Sequence, residues 1–237
     1  MSAPITRRYF LALTGTLMSS PTIPAAGNVP PTLDHILLGA GDLDAGVLEV
    51  EKKAGVRAAG GGSHPGAGTR NALLSLGTER YLEIIAPDPQ QSGTPSTRYG
   101  NLAGLKQPRL VGWAVHTHDI EGVARRLRDA GMDAVGPNDG SRVRPDGKTL
   151  HWRTLNLKDN RGGLLPFFIQ WGDGTVHPSV DAPGGCSLVS FEVESADDSH
   201  LRELFQKMGI EVAVRRGAAV LLRARIAGLR GDFELTS

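Results

Sequence analysis

Apolar positions along the chain follow two rhythms, alternating and helical, and the order in which these rhythms succeed one another is itself repeated. Residues 33–38 form a short apolar run of strand type, Asp42 caps a helix whose Val47 and Val50 share a face, and Gly55 stops it. An extended stretch around Val56 and Arg57, a glycine-rich turn, and the apolar runs 70–76 and 81–86 complete a strand–helix–strand–strand–strand unit. The same order returns from Leu110: residues 111–115 predict the strand and Asp119 the cap. Ile120, Val123, Ala124, Leu127 and Ala130 then fall at helical spacing before Gly131. Residues 132–135, a turn rich in Pro, Gly and Asp, and the strands 150–157 and 166–171 finish this second unit. A shorter third copy begins at Leu188, with strand 188–193, a helix carrying Leu201, Leu204, Phe205 and Met208 up to Gly209, and strands at 210–212, 219–222 and 232–235.

Each such unit buries only the sheet face that its helix covers, so its open, curved face needs a partner. The pattern therefore predicts an α+β fold of repeated βαβββ modules that pair into a curved mixed sheet around a cavity. Two modules, 33–88 and 110–173, form one domain, and 187–237 form a third, shorter module. The segments 87–108 and 172–185, rich in Gly and Pro, read as connectors, the first long enough to cover the cavity.

Residues 1–32 belong to neither pattern. Arg7-Arg8-Tyr9-Phe10-Leu11 leads into an apolar stretch ending near Met18, followed by Ser, Pro and Ala up to Ala26. This resembles a twin-arginine export signal and predicts a periplasmic or extracellular protein; the other reading is a basic start with no address on a cytoplasmic chain. No run of about 18 to 20 apolar residues occurs, so no membrane span is expected in the mature chain.

Composition narrows the partners. In 237 residues, 26 Lys+Arg against 25 Asp+Glu leave a net charge of +1, with no excess of cations for a nucleic-acid backbone. A small organic molecule is the expected partner. The lone Cys186 makes no internal disulfide and excludes cysteine-rich metal sites. No glycine-rich loop follows a strand and opens a helix, so no nucleotide cofactor is indicated.

Leu33-Asp34-His35, the capped helix, Ser63-His64-Pro65, Gly68-Thr69-Arg70-Asn71 and the run from Tyr81 to Asp88 resemble the glyoxalase-like branch of the vicinal oxygen chelate superfamily. The resemblance extends through residue 173 and is topological beyond it. It implies paired βαβββ modules and a divalent metal chelating neighbouring substrate oxygens, with His35 and Glu83 in ligand positions. Independently of it, His35 and Glu83 are each the third residue of a strand and can point into one cavity. An imidazole and a carboxylate suit Mn²⁺, Fe²⁺, Ni²⁺ or Zn²⁺. Alternatively they bond each other or a polar substrate.

A gap-free overlay of the modules puts Trp113 on His35 and Phe168 on Glu83, with Phe167 next in register; neither aromatic type can ligate. Ser190 and Glu234 of the third module occupy matching positions and would complete a site only if modules one and three pair. Arg70 and Asn71 are candidates to bind a carboxylate or carbonyl, and His64 to act as acid or base; all three also suit turn chemistry. Trp113, Trp152, Phe168 and Trp171 predict an aromatic second half of the cavity, unless they are core. His116 and His118 mimic a ligand pair but have the opposite parity to Trp113. The expectation is a glyoxalase-like small-molecule enzyme of lyase, isomerase or dioxygenase type, with His35 and Glu83 catalytic. The alternative is a metal-free binding protein of the same fold.

Overall fold

The computed structural model describes residue 1 and residues 29–91, 97–144 and 146–237. Residues 2–28, which hold the arginine pair and the apolar stretch of the export segment, lie outside the described residues. The first module comprises β1 (Leu33–Gly39), α1 (Leu43–Ala54), β2 (Ala59–His64), β3 (Thr69–Ser75) and β4 (Tyr81–Pro87). The second comprises β5 (Arg109–His116), α2 (Ile120–Asp129), β6 (Ala134–Val143), β7 (Thr149–Leu157) and β8 (Phe167–Trp171). A short helix, α3 (Pro178–Asp181), leads to β9 (Ser187–Ser195), α4 (Asp198–Met208), β10 (Ala213–Arg216), β11 (Leu221–Gly228) and β12 (Gly231–Thr236). No described helix is long and apolar enough to cross a membrane.

The expected caps Asp42 and Asp119 accept from the Ala45 and Gly122 amides, Asp197 does the same for the His200 amide at the start of α4, and Gly55 and Gly209 turn left-handed at the ends of α1 and α4. Modules one and two merge into one eight-stranded mixed sheet, order β2-β3-β4-β1-β5-β8-β7-β6, curled into a half-barrel. β1 and β5 join the halves as an antiparallel pair. Module three keeps its own four-stranded sheet, order β10-β9-β11-β12. Ser190 and Glu234 therefore complete no site with the first module; Glu234 pairs with Arg223 instead.

The main core fills the convex side of the large sheet. Ile36, Ile84, Trp113 and Phe168 meet Val47 and Val50 of α1, Leu127 of α2 and, from module three, Phe191, Phe205 and Leu222. Module three thus covers the back of the cavity-forming sheet. Its β11–β12 turn docks on the end of α1, where Leu229 N–H donates to Ala54 O at 2.8 Å.

The strand join is not regular. Between Leu37 and Leu38 the β1–β5 register slips, from Leu37↔Gly112 to Leu38↔Leu110, leaving Val111 in a bulge. Beyond it, His35 stands opposite Ala114, and Trp113 stands opposite the outward Ile36. A one-residue slip exchanges the two faces of a strand, so a gap-free overlay assigns Trp113 to the wrong side.

The glycine run 60–62 lies in β2, ahead of the turn at 65–68. One further expectation changes. The turn expected after residue 135 is mostly strand, because β6 continues to Val143 before the chain reverses, with Arg144 N–H donating to Lys148 O at 2.8 Å.

Candidate functional site

The concave face of the large sheet encloses a cavity of about 450 Å³. Its first-module wall groups the polar His35, His64, Thr69, Asn71, Tyr81 and Glu83, flanked by Pro65, Ala67 and Leu73. Its second-module wall holds the rings of Trp152, Phe167 and Trp171 with Ile169 and Arg142, beside Asp139, Ser141 and Thr154. The connector after β4 contributes Arg98 and Tyr99, and the segment after β8 contributes Pro178. A larger open groove, about 690 Å³, runs along α4 and β10 beside Val29, but no imidazole lines it.

At the floor stands a line of three titratable side chains. Asp34, 1% exposed, lies 2.6 Å from His35 Nδ1 through Oδ1. Its other oxygen accepts from the Trp171 indole at 2.9 Å and meets His177 Nε2 at 3.3 Å. Burial pushes the Asp34 pKa up, but the hydrogen bonds and charges of His177 and His35 more than offset it and hold the carboxyl well below its ordinary range. An ionised carboxylate only accepts, so both imidazoles donate to it. His177 fits this independently, because its Nδ1 accepts from the Ser179 amide at 3.2 Å and its proton therefore sits on Nε2.

With Nδ1–H committed to Asp34, His35 turns Nε2 into the cavity, 3.5 Å from Glu83 Oε2. Glu83 Oε1 accepts from Asn71 Nδ2 at 2.8 Å. The same amide nitrogen lies 3.2 Å from His64 Nε2, and His64 Nδ1 lies 2.9 Å from Thr69 Oγ1. His64 thus accepts from Asn71 and donates to threonine. Burial lowers its pKa, against the opposing pull of Glu83 and with help from Arg142, Arg98 and His35. Asn71 reaches this position because β2 passes close by with no side chain at Gly61: a Cβ there would sit 2.2 Å from Asn71 Oδ1.

Tyr81 stacks on the His35 ring at 4.5 Å, and its hydroxyl has no hydrogen bond among the described residues. Burial, then Asp34 and Glu83, push its pKa well above the ordinary value, so the phenol keeps its proton. Phe167 closes the other side of His35, edge-on at 5.4 Å.

Of the residues singled out in sequence, His35, His64, Asn71, Glu83 and Trp152 meet in the cavity. Trp113 does not: it is 0% exposed on the convex side, packed on Phe191 at 4.9 Å, with its indole donating to Leu164 O. Phe168 shares that core, and Phe167 takes the inward place. Arg70 alternates with Asn71 on β3, so it does not line the cavity. His116 and His118 sit 6.1 Å apart at the end of β5, also outside the cavity wall. Asp34, Tyr81, Arg98, Arg142 and His177 were not foreseen. Asp34 adjoins His35 in sequence, and Asp146-Gly147 marks the hairpin that makes Arg142 a strand residue. His177 pairs with Asp34 across 143 positions and leaves no local sign.

The metal implied by the resemblance meets an incomplete donor set. The inward positions facing His35 and Glu83 from the second module are Gly112, Ala114, Phe167 and Ile169, none with a ligating atom. Asn71 occupies both Glu83 Oε1 and His64 Nε2. Among the described residues, no three His, Cys, Asp or Glu side chains are grouped to hold a metal ion. The residues present do not fit a resident metal.

A family model described as a glyoxalase-like domain matches residues 33–209, running past the two cavity-forming modules into β9 and α4. Among solved structures, a hypothetical protein from Staphylococcus aureus is similar over 86% of this chain and 84% of its own, at 19% identity and TM-score 0.61. Methylmalonyl-CoA epimerase from Mycobacterium tuberculosis is similar over 63% of this chain and 92% of its own, at 20% identity and TM-score 0.41. A Streptomyces coelicolor methylmalonyl-CoA epimerase variant in complex with 2-nitronate-propionyl-CoA covers 60% of this chain and 98% of its own, at 21% identity and TM-score 0.44. No curated protein sequence matches the chain.

Proposed function

The chain belongs to the glyoxalase-like domain family of the vicinal oxygen chelate superfamily, and from that premise we propose that it is a small-molecule enzyme working by proton transfer at a carbon beside a carbonyl. The observation that carries this reading is the line Asp34–His35–Glu83, a buried ionised carboxylate orienting an imidazole whose free nitrogen faces a second carboxylate inside a cavity. Glu83 Oε2 removes the proton from the substrate carbon, and His35 Nε2 takes it up and returns it. Asp34 steadies the charge that His35 gains, as the acid of a catalytic triad does. The Tyr81 hydroxyl donates to the oxygen on which negative charge develops. Asn71 holds Glu83 by one oxygen and leaves the other free. No step is assigned to a metal, because the donor set does not fit one.

Solvent-deuterium incorporation into the acidic C–H of a panel of 2-oxo and 3-oxo compounds, followed by proton NMR, tests the reading. The wild type is expected to speed exchange, and Glu83→Gln to lose about 10²–10⁴-fold of that rate while remaining folded. Equal exchange in both proteins overturns the assignment of Glu83.

The aromatic wall of Trp152, Phe167 and Trp171 favours a second reading, a binding protein that holds a flat organic ligand. It gains if panel members bind without any exchange. We propose too that the chain is exported; replacing Arg7 and Arg8 by Lys then strands it in the cytoplasm, and unchanged location refutes the address.

A further inference from the structure

Arg142 plays no part in the acid–base apparatus, yet the fold buries it. It lines the cavity from β6 at 6% exposure, and among the described residues its guanidinium has neither a hydrogen bond nor an ion pair. A largely desolvated guanidinium that meets only cavity solvent is held at a cost, so a counter-charge supplied by a ligand accounts for its retention better than packing does. The notch that receives it is built by Gly62, whose φ of 131° and missing side chain leave room. A Cβ there would lie 3.2 Å from Arg142 Cδ and 3.3 Å from Nη1.

The groups facing Arg142 set its charge balance. Burial lowers its pKa, Glu83 and Tyr81 raise it, and Arg144 lowers it. Glu83 is already engaged by Asn71 and lies beside His35, so it does not neutralise the guanidinium at contact. Asp34 is satisfied by His35, His177 and Trp171.

Beside this cation lies a flat apolar surface. Gly140 shares the inward face of β6 with Arg142, and it is paired with Trp152, whose indole occupies the space a side chain at Gly140 would take, 2.4 Å from that Cβ position. Trp171 meets Trp152 edge-on at 5.9 Å. A guanidinium next to an aromatic platform matches a carboxylate joined to a flat ring: a two-pronged charged hydrogen bond at one end, stacking at the other.

We infer that the cavity selects an aromatic carboxylate, its anionic end on Arg142 and its ring against Trp152. This deepens the enzymatic reading, since it places the carbon next to the carboxylate-bearing arm near Glu83. Arg142 is then the residue that sets specificity, while Glu83 does the chemistry.

Calorimetric titration with phenylacetate and 3-phenylpropionate, each beside its neutral amide, tests this. The wild type is expected to prefer acid over amide by about tenfold or more. Arg142→Gln erases the preference by weakening the acid far more than the amide, and Arg142→Lys, which keeps charge but not the fork, restores part of it. If Arg142→Gln does not fold, Arg142→Lys carries the test through a reduced preference. A wild type without preference, a preference that survives in Arg142→Gln, or binding of phenyl phosphate above both carboxylates overturns the inference. Equal loss of acid and amide affinity also overturns it, because it would mean that Arg142 serves only to hold Glu83. Glu83→Gln retains the acid preference whatever becomes of its proton exchange, so failure of the chemistry and failure of the anchor are distinguishable.

Discussion

The two modules of the large sheet share one topology but give the cavity opposite walls. At corresponding inward places the first puts His35, Tyr81 and Glu83, backed by Asp34, and the second puts Ala114, Phe167 and Ile169. The third module, same order again, turns its open face to charged pairs, with Glu192 bonded to Arg215 and near Arg223. The fold fixes where side chains converge; the residues at those places decide whether the face is reactive, receptive or merely solvated. A metal site would need donors from both walls. Here the central inward places of the second wall hold Ala114, Phe167 and Ile169, while Asp139 on β6 is paired with Arg153, which divides the shared hollow into an acid–base half and a binding half.

The sharpest way to break this division is Asp34→Asn. It removes the charge that fixes His35, and is expected to cut proton exchange about 10²–10⁴-fold in the deuterium assay and to cost about 3–5 kcal/mol in denaturant unfolding. Because the folded pKa of Asp34 lies below its ordinary 3.8, its stabilisation is complete above that pH and is lost as pH falls through the folded value. The Asn variant lacks this acid loss, and its stability curve is flatter at low pH.

A pair of tryptophans sharpens the comparison next. Trp113→Ala is expected to cost about 3–5 kcal/mol of stability while sparing aromatic-acid affinity, since its ring is core. Trp152→Ala should do the reverse, weakening that affinity with a smaller loss of stability; matching effects from the two would erase the distinction between the faces.

The smallest expected effect belongs to His64. Its folded pKa lies below the ordinary 6.5, so the unfolded chain binds a proton that the folded one refuses. Stability should therefore decline as pH falls through 6.5, and His64→Gln should remove that decline.

Much of this was legible beforehand, and what was missed has physical causes. The repeat order, the caps and the inward places of His35, Asn71 and Glu83 follow from local periodicity. The bulge at Val111 does not, because a bulge is a property of two paired strands; it exchanged Trp113 for Ala114 at the central pair. The role of the glycine run 60–62 has no local sign because its cause lies elsewhere: Gly61 and Gly62 make room for Asn71 and Arg142 on other strands. His177 entered through a connector whose sequence gave no sign that it reaches back to Asp34.

The orientation of His35 is the point on which the chemistry turns, and long-range proton–nitrogen NMR of the histidines at mildly alkaline pH reads it directly. The account predicts the His35 proton on Nδ1, facing Asp34, with Nε2 bare and its resonance moved by Glu83→Gln. A proton on Nε2 with a bare Nδ1, or a ring that ignores the Glu83 substitution, would contradict it.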